Sequence, residues 1–534
     1  MKTINKPLAI FAIVLLIVVI IPIAVAPEAS TDFINGLLGG ITGNFGWLFL
    51  LAGIGSFGFL MYCAFSKYGD IKFGGPDSKP DYSTFSWVSM LLCAGLGSSI
   101  MIWGGVEWMY YVSGPPFRVA PYTLEAYEWA SAYGMYHWGF VAWAMFAIPT
   151  VPIAYSYWVK KNSSLKMSSA CNAVIGDEKD SWTRRIIDAF IIFGILGSYA
   201  TTIGLGTPIV SRILNHLFGI QDSFFLRVSI LVVLCAVFTL SVYKGIESGI
   251  QVISRWNVKI ALGLFAFIFI VGPKAFMLDT FVQAVGMNLS HVIDMSFYTD
   301  SIGKSGFPQG WTIFYWAWWI AMAPFMGLWV ARISKGRTIR ELVIAECFWG
   351  SMGCWLSFNT LGSFGMNLEL EGTVKLSQVL AESGKGEAII TMLQNLPLSY
   401  IVIFVYGLLL FLNLVTSCDS TAYVLAQTAS KNLKPGDDPN KYYRVFWAMS
   451  LVIIPIALMS LEYKIEGLDT MAPLQIASVV SCLPVLVVLG LMIASFIKWI
   501  KEDIANGTLP IDEKHRSRWP ELEYNNKKSK SATS

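Results

Sequence analysis

Apolar runs of membrane length recur from one end of this 534-residue chain to the other, and no other feature constrains its fold as tightly. Lipid offers a peptide group no hydrogen-bond partner, so such runs fold as helices that satisfy their own backbone. Twelve are read, over 7–27, 45–64, 86–112, 134–158, 186–211, 223–242, 257–277, 310–332, 339–363, 396–427, 443–462 and 471–499. The expected fold class is therefore an all-α polytopic membrane protein with twelve transmembrane helices. A charged share of 14% agrees, since soluble domains carry about a quarter. The first run follows Lys2 and Lys6 and ends at Ala24-Val-Ala26, as a signal peptide would. It is longer than a signal's apolar region and more runs follow, so it is read as the first helix. The runs at 86–112, 186–211 and 396–427 carry Gly, Ser, Thr or Asp and need not be continuous helix.

Lys and Arg of the short loops set the topology. Lys67, Lys72 and Lys79 follow the second run, and Lys160, Lys161, Lys166, Lys179, Arg184 and Arg185 the fourth. Lys244 and Arg255 follow the sixth, Arg332, Lys335, Arg337 and Arg340 the eighth, and Lys431, Lys434 and Lys441 the tenth. The alternate loops, such as 28–44 and 364–395, are poor in base or lean acidic. Both termini are therefore expected in the cytoplasm. Orientation accounts for the bases, and nothing points to nucleic acid as a partner. Eight cysteines without a C-x-x-C pair, and four histidines, indicate neither a metal centre nor a disulfide framework. The long segment 278–309 has helical periodicity and is expected on the outer surface, and 364–395 holds a helix-like stretch near 376–394.

The third run contains Cys93-Ala-Gly-Leu-Gly-Ser-Ser99, where Gly95, Gly97 and two serines weaken a helix. Backbone that unwinds at membrane depth lines a cavity, and in secondary transporters it supplies carbonyls to solute and ion. Small residues that only let helices approach are the competing reading. The fifth run repeats the theme with Gly194, Gly197, Gly204, Gly206 and Pro208 among Thr201, Thr202 and Thr207.

Two chemistries stand out inside the runs. Gly310-Trp-Thr-Ile-Phe-Tyr-Trp-Ala-Trp-Trp-Ile320 carries far more indole than an interface belt needs. Tyr315, Trp319, Met322 and Met326 share one helical face, with Trp318 beside them, and the fourth run offers Trp138, Trp143 and Phe146. Rings from two or three helices would surround a methylated cation, each worth roughly 1–2 kcal/mol when desolvated. The second chemistry is ionic. Glu107 and Asp419 are carboxylates within spans, and such residues are functional by default. Thr416 and Ser417 offer hard oxygens that suit an alkali cation, although hydroxyls also bond back to their own helix. Positive-inside bias explains the basic loop from Ala331 to Arg340, which is not placed in the site. No acid–base or nucleophile arrangement suggests an enzyme.

Together these residues resemble the betaine/choline/carnitine transporter (BCCT) family over nearly all the membrane region. The match is strongest in Phe307-Pro-Gln-Gly-Trp-Thr-Ile-Phe-Tyr-Trp-Ala-Trp-Trp319 and Ala331-Arg-Ile-Ser-Lys-Gly-Arg-Thr338. Gly95-Leu-Gly97 with Gly104 and Glu107, His137-Trp-Gly139 and Thr416-Ser-x-Asp-Ser420 support it. The resemblance implies a LeuT-like fold with two inverted five-helix repeats. Residues 1–85 would hold two leading helices, 86–277 the first repeat and 278–309 an external amphipathic segment. Residues 310–499 would hold the second repeat and 500–534 a cytoplasmic tail. It further implies a homotrimer in the bacterial inner membrane.

The implied substrate site is Trp138, Trp143, Phe146 and Trp319, with Trp318, Tyr111, Met322 and Met326 near the pathway. Phe146 stands where sodium-driven betaine carriers have a Tyr, Met322 where an aromatic is common, and Ser99 replaces the last glycine of the family pattern. Thr416 and Ser417 match sodium ligands, and Leu96 would add its carbonyl. Asn257 stands where sodium-independent antiporters place an arginine, whereas Met326 resembles a methionine that those antiporters use. The expectation is secondary active transport of a quaternary ammonium compound (glycine betaine, carnitine, choline or a relative) by sodium symport. Substrate–product antiport is the alternative, and a non-transporting membrane receptor the alternative of another class.

Overall fold

The structure, a computed structural model, describes residues 5–95, 97–162, 165–178, 181–431, 433–464 and 471–522. Leu96, Lys179 and the end of the tail lie outside them. Among the described residues the chain is helical, and two isolated bridges, Ile71 with Ile511 and Lys72 with Thr338, are its β-type pairings. In order come α1 (Lys6–Val25), α2 (Pro27–Phe65), α3 (Thr84–Gly95), α4 (Gly97–Ser113), α5 (Leu124–His137) and α6 (Phe140–Ala154). Then follow α7 (Trp182–Phe218), α8 (Phe224–Ser248), α9 (Ile250–Val271), α10 (Lys274–Phe297) and α11 (Thr312–Ile333). A run from Ile339 to Leu370, α12, contains π turns at Ala345–Trp349 and Phe358–Gly362. Last are α13 (Leu376–Gln394), α14 (Ser399–Thr428), α15 (Lys441–Lys464), α16 (Met471–Val480) and α17 (Cys482–Asn506).

Among the described residues ten helices are long and apolar enough to cross a membrane, or eleven when α3 and α4, bent by 65° at the glycine pair, count as one span. The chain is thus a multi-pass membrane protein. A helix stands at each of the twelve expected runs, but α12 is not apolar enough to be counted. Its Glu346 and Asn359 interrupt the apolar sequence. Of the three runs that need not be continuous, only 86–112 is broken. The polar groups of α7 close on their own helix, with Thr201 and Thr202 donating to the Ser198 carbonyl and Thr207 to that of Ile203. The α2 helix starts long before residue 45, and there Thr42 and Asn44 likewise bond back to the Leu38 and Gly40 carbonyls.

Burial locates the core. The spans that hold α5 with α6 and α11 are 94% buried, against 28% for α1 and α9, whose apolar faces suit lipid. The α6 and α11 helices pack along their length. The α10 helix settles on α5 through Ala284 and Met295 and leaves Leu278, Val282, Leu289 and Ile293 exposed.

Candidate functional site

The break between α5 and α6 falls at Trp138-Gly139, and it turns the Trp138 ring toward α11. A Cβ at Gly139 would lie 2.5 Å from the Met135 carbonyl, so only glycine fits this turn. Trp138 then lies 5.5 Å from Trp319 and 6.0 Å from Trp318, edge to face. Trp319 is also 4.3 Å from Phe146 and 5.9 Å from Trp143. Five of the expected site residues therefore form one cluster, and Phe358 from the second π turn of α12 adds a sixth ring at 5.5 Å from Trp138. Sequence reading missed Phe358, which carries no spacing signal. At these separations the rings cover one another's faces. A cation needs a ring face within about 6 Å of its own centre, so this cluster would admit one only with its rings parted. Met322 and Met326 are buried on α11.

A hydrogen-bonded frame holds this cluster. Glu107 is fully buried and accepts from Trp138 Nε1 at 3.0 Å, from Tyr111 Oη at 2.5 Å and from the Tyr315 hydroxyl. Tyr111 is thus a support of the carboxylate. Its oxygen also meets His137 Nδ1 at 2.6 Å, and His137 Nε2 meets Thr312 Oγ1 at 2.9 Å. Since Tyr111 donates to Glu107, His137 donates from Nδ1 and accepts Thr312 at Nε2. Carboxylate, phenols, imidazole and cage indole form one chain across α4, α5 and α11.

On the side away from the basic loops, a cavity of about 340 Å³ reaches Trp318, Ser98 and Ser99. Arg212 lines its rim, donating to the Ser383 carbonyl at 2.7 Å and lying 3.8 Å from Asp222. Burial pushes the Asp222 carboxyl up, but Arg227 and Ser211 outweigh it and hold the group below its ordinary value. The opposite side is closed. Arg332 is buried and donates to Tyr423 Oη at 2.8 Å, the Gly436 carbonyl at 2.8 Å and Asp438 at 3.1 Å. Trp158 donates to the Ala331 carbonyl at 2.7 Å, and the Arg337 guanidinium lies 4.5 Å from the Trp87 ring. The basic loop that sets the orientation therefore also ties this side together.

The expected ion residues meet at the α3–α4 break. Thr416 Oγ1 lies 3.1 Å from the Cys93 carbonyl and 3.0 Å from the Asn413 carbonyl of its own helix, and Ser420 Oγ lies 3.0 Å from that of Ala94 and 2.7 Å from the Thr416 carbonyl. Ser417 Oγ is buried with no hydrogen-bond partner among the described residues. Gly97 packs against Asn413, where a Cβ would lie 2.0 Å from Oδ1, and that oxygen accepts from Asn257 at 2.6 Å. Gly95 closes α3 beside Leu96, whose expected carbonyl lies outside the described residues. Asp419 turns elsewhere, to a buried ion pair with Arg444 at 3.0 Å. Arg444 was not singled out in the sequence, because it stands at the start of a span among loop bases.

The model of the betaine/carnitine/choline family transporters matches residues 7–505. The uncharacterized transporter YeaV of Escherichia coli (strain K12) is 32% identical over 449 residues, covering 84% of this chain and 92% of the relative. A carnitine transporter of Acinetobacter baumannii is 34% identical over 443 residues, covering 83% of this chain and 79% of the relative. The relatives are transporters, not enzymes. A solved structure of a Na⁺-coupled sialic acid symporter overlays 85% of this chain and 87% of its own, at 10% identity and a TM-score of 0.40, too loosely to argue from.

Proposed function

We propose that this chain, which belongs to the betaine/carnitine/choline transporter family, is a secondary carrier of a quaternary ammonium solute. The observation that carries this is the cluster of Trp138, Trp143, Phe146, Trp318 and Trp319, where Trp318 also lines the open cavity. The cationic head would lodge between these rings as they separate, with Glu107 holding Trp138 in place. An indole N–H that donates to a carboxylate enriches its own ring face, which favours a cation there. Alternating access would close the cavity and release the Arg332–Tyr423–Asp438 latch on the other side.

The basic loops support a cytoplasmic latch face, both termini in the cytoplasm and a bacterial inner membrane. With α12 counted as a span the total is twelve, consistent with inverted repeats over 86–277 and 310–499 after two leading helices, a cytoplasmic tail at 500–534 and a homotrimer. For coupling we favour sodium at Thr416 and Ser417. The Ser417 hydroxyl, which has no partner among the described residues, and the Cys93 and Ala94 carbonyls met by its neighbours Thr416 and Ser420 support this. A sodium ion there gains about 2.3 kcal/mol per 100 mV of potential if it crosses the whole field. Substrate–product exchange is the second reading, favoured by Met326 buried on the cage helix.

Uptake of labelled glycine betaine, carnitine and choline into proteoliposomes decides among these. A sodium gradient should drive accumulation, whereas flux that ignores sodium and needs trapped solute establishes exchange. Trp319→Leu should weaken binding by about 2 kcal/mol, roughly thirtyfold. Unchanged affinity and rate in that variant would remove the cage.

A further inference from the structure

Glu346 lies in the first π turn of α12 and is fully buried. Among the described residues its partner is Thr150 Oγ1 on α6, at 3.1 Å, and its second oxygen is buried with none. The same Thr150 hydroxyl lies 2.9 Å from the Phe146 carbonyl. A hydroxyl has one hydrogen and a carbonyl has none. If Thr150 donates to Phe146, its contact with Glu346 closes only when the carboxyl supplies a hydrogen. The alternative leaves the Phe146–Thr150 contact without a hydrogen and an ionised carboxylate with one neutral donor. Such a charge away from water costs several kcal/mol.

No counter-charge faces the site. No Lys or Arg ion pair to Glu346 occurs among the described residues. The elements packed on this π turn besides α12 itself include α6 and α3. The α6 helix has no ionisable side chain, and α3 has only Cys93. On α12 the nearest titratable neighbours in sequence are Glu341 and Cys347, neither of them a cation.

The position is mechanically loaded. Phe146, at the end of the Glu346–Thr150–Phe146 chain, packs on Trp319 at 4.3 Å. One turn beyond Glu346, Gly350 receives the Trp143 ring so closely that a Cβ would lie 2.3 Å from it. The extra residue of the π turn keeps Glu346 and Cys347 inside while Phe348 and Trp349 face outward. Ile339, seven positions earlier, opens the helix beside the latch loop, roughly 10 Å away along the axis.

We propose that Glu346 is a proton-binding site: it holds a proton while the latch is closed and yields it to water when α6 and the π turn separate. The carboxyl O–H bond breaks, the proton passes to a water molecule, and the carboxylate remains facing that water. As the rings part toward the cavity, the carboxylate takes a proton from water on that side, so each inward cycle carries one proton with the solute. The flux part of this rests on the transporter reading, whereas the bound proton does not.

The test pairs two measurements on the full reconstituted chain. Infrared difference spectra of wild type and Glu346→Gln should show a protonated-carboxyl band that the variant lacks. Thr150→Val, which removes the acceptor of that O–H, should shift the same band and covers the case in which Glu346→Gln fails to fold. In the same vesicles, uptake of choline, carnitine or glycine betaine by wild type should acidify the lumen. Glu346→Gln should keep solute exchange and lose the acidification. A spectrum unchanged in both variants overturns the proposal, and so does wild-type uptake without proton movement. If none of the three solutes is taken up, the cargo reading falls, and the infrared band alone decides the proton.

Discussion

Glu107 and Glu346 are both buried carboxylates within helices, one on the cavity side of the aromatic cluster and one on the latch side, yet they are built in opposite ways. Three donors from three side chains converge on Glu107, and one of them is the cage indole itself. Glu346 has a single hydroxyl, already placed to serve the Phe146 carbonyl. Donors can replace water around a charge, so the first site can keep a fixed anion at the cage. The second cannot, and its chemistry is that of a group that carries a proton. Residue type alone would have given them one role; the count of donors separates them.

That comparison can be tested from its strongest case downward. Asp419 is a third buried carboxylate, and it balances its charge with a cation. Arg444→Met should destabilise the protein by about 3–5 kcal/mol, because a lone charge stays behind in the core. Asp419→Asn added to it should recover most of the loss in thermal melts. A single variant as stable as wild type would mean that donor and charge count do not govern these sites.

A smaller effect is expected at Glu107→Gln. The amide keeps one acceptor oxygen for three donors and turns its own N–H₂ toward another donor. Affinity for glycine betaine, choline or carnitine should fall by about 2–3 kcal/mol, roughly 30- to 150-fold in a tryptophan-fluorescence titration. Tyr315→Phe leaves two donors and should cost less, about 1 kcal/mol. Equal losses from the two variants would argue against a shared anionic centre.

The rings were legible in the sequence, since indoles at helical spacing in two runs have few reasons to exist apart from each other. So was the α3–α4 break, where two glycines flank one residue. The α7 glycines and threonines gave the same signal without a break, because hydroxyls that bond back to their own helix cap the weakness locally. The partners of the carboxylates were not legible. Tyr315 and Trp138 reach Glu107 from helices far along the chain, and Arg444 reaches Asp419 from the next span. Glu346 carries a sign of its own, an acid inside the stretch 342–368 that is otherwise uncharged. Arg332 was discounted because orientation already explained its charge, although a residue can serve orientation and closure together.

The smallest expected effect lies outside the spans, at Asp222, and it marks the solvent-reachable limit of the comparison. Burial raises this carboxyl, but the Arg227 guanidinium, 2.8 Å away, and the Ser211 hydroxyl bring it below its ordinary value. A group whose folded pKa is depressed stabilises fully above its unfolded pKa and loses that contribution as pH falls through the folded one. Water reaches this site, so the contribution stays within about 1 kcal/mol. Thermal melts of wild type should therefore lose a little stability on acidification below the ordinary aspartate range, and Asp222→Asn should flatten that part of the profile. Because Arg212 lines the cavity rim beside Asp222, the same acid step should loosen Arg212 and alter uptake while leaving the number of protons moved per solute unchanged. An acid loss in the melts that persists in Asp222→Asn would assign the titration to another carboxylate and leave the rim arginine held by the Ser383 carbonyl alone.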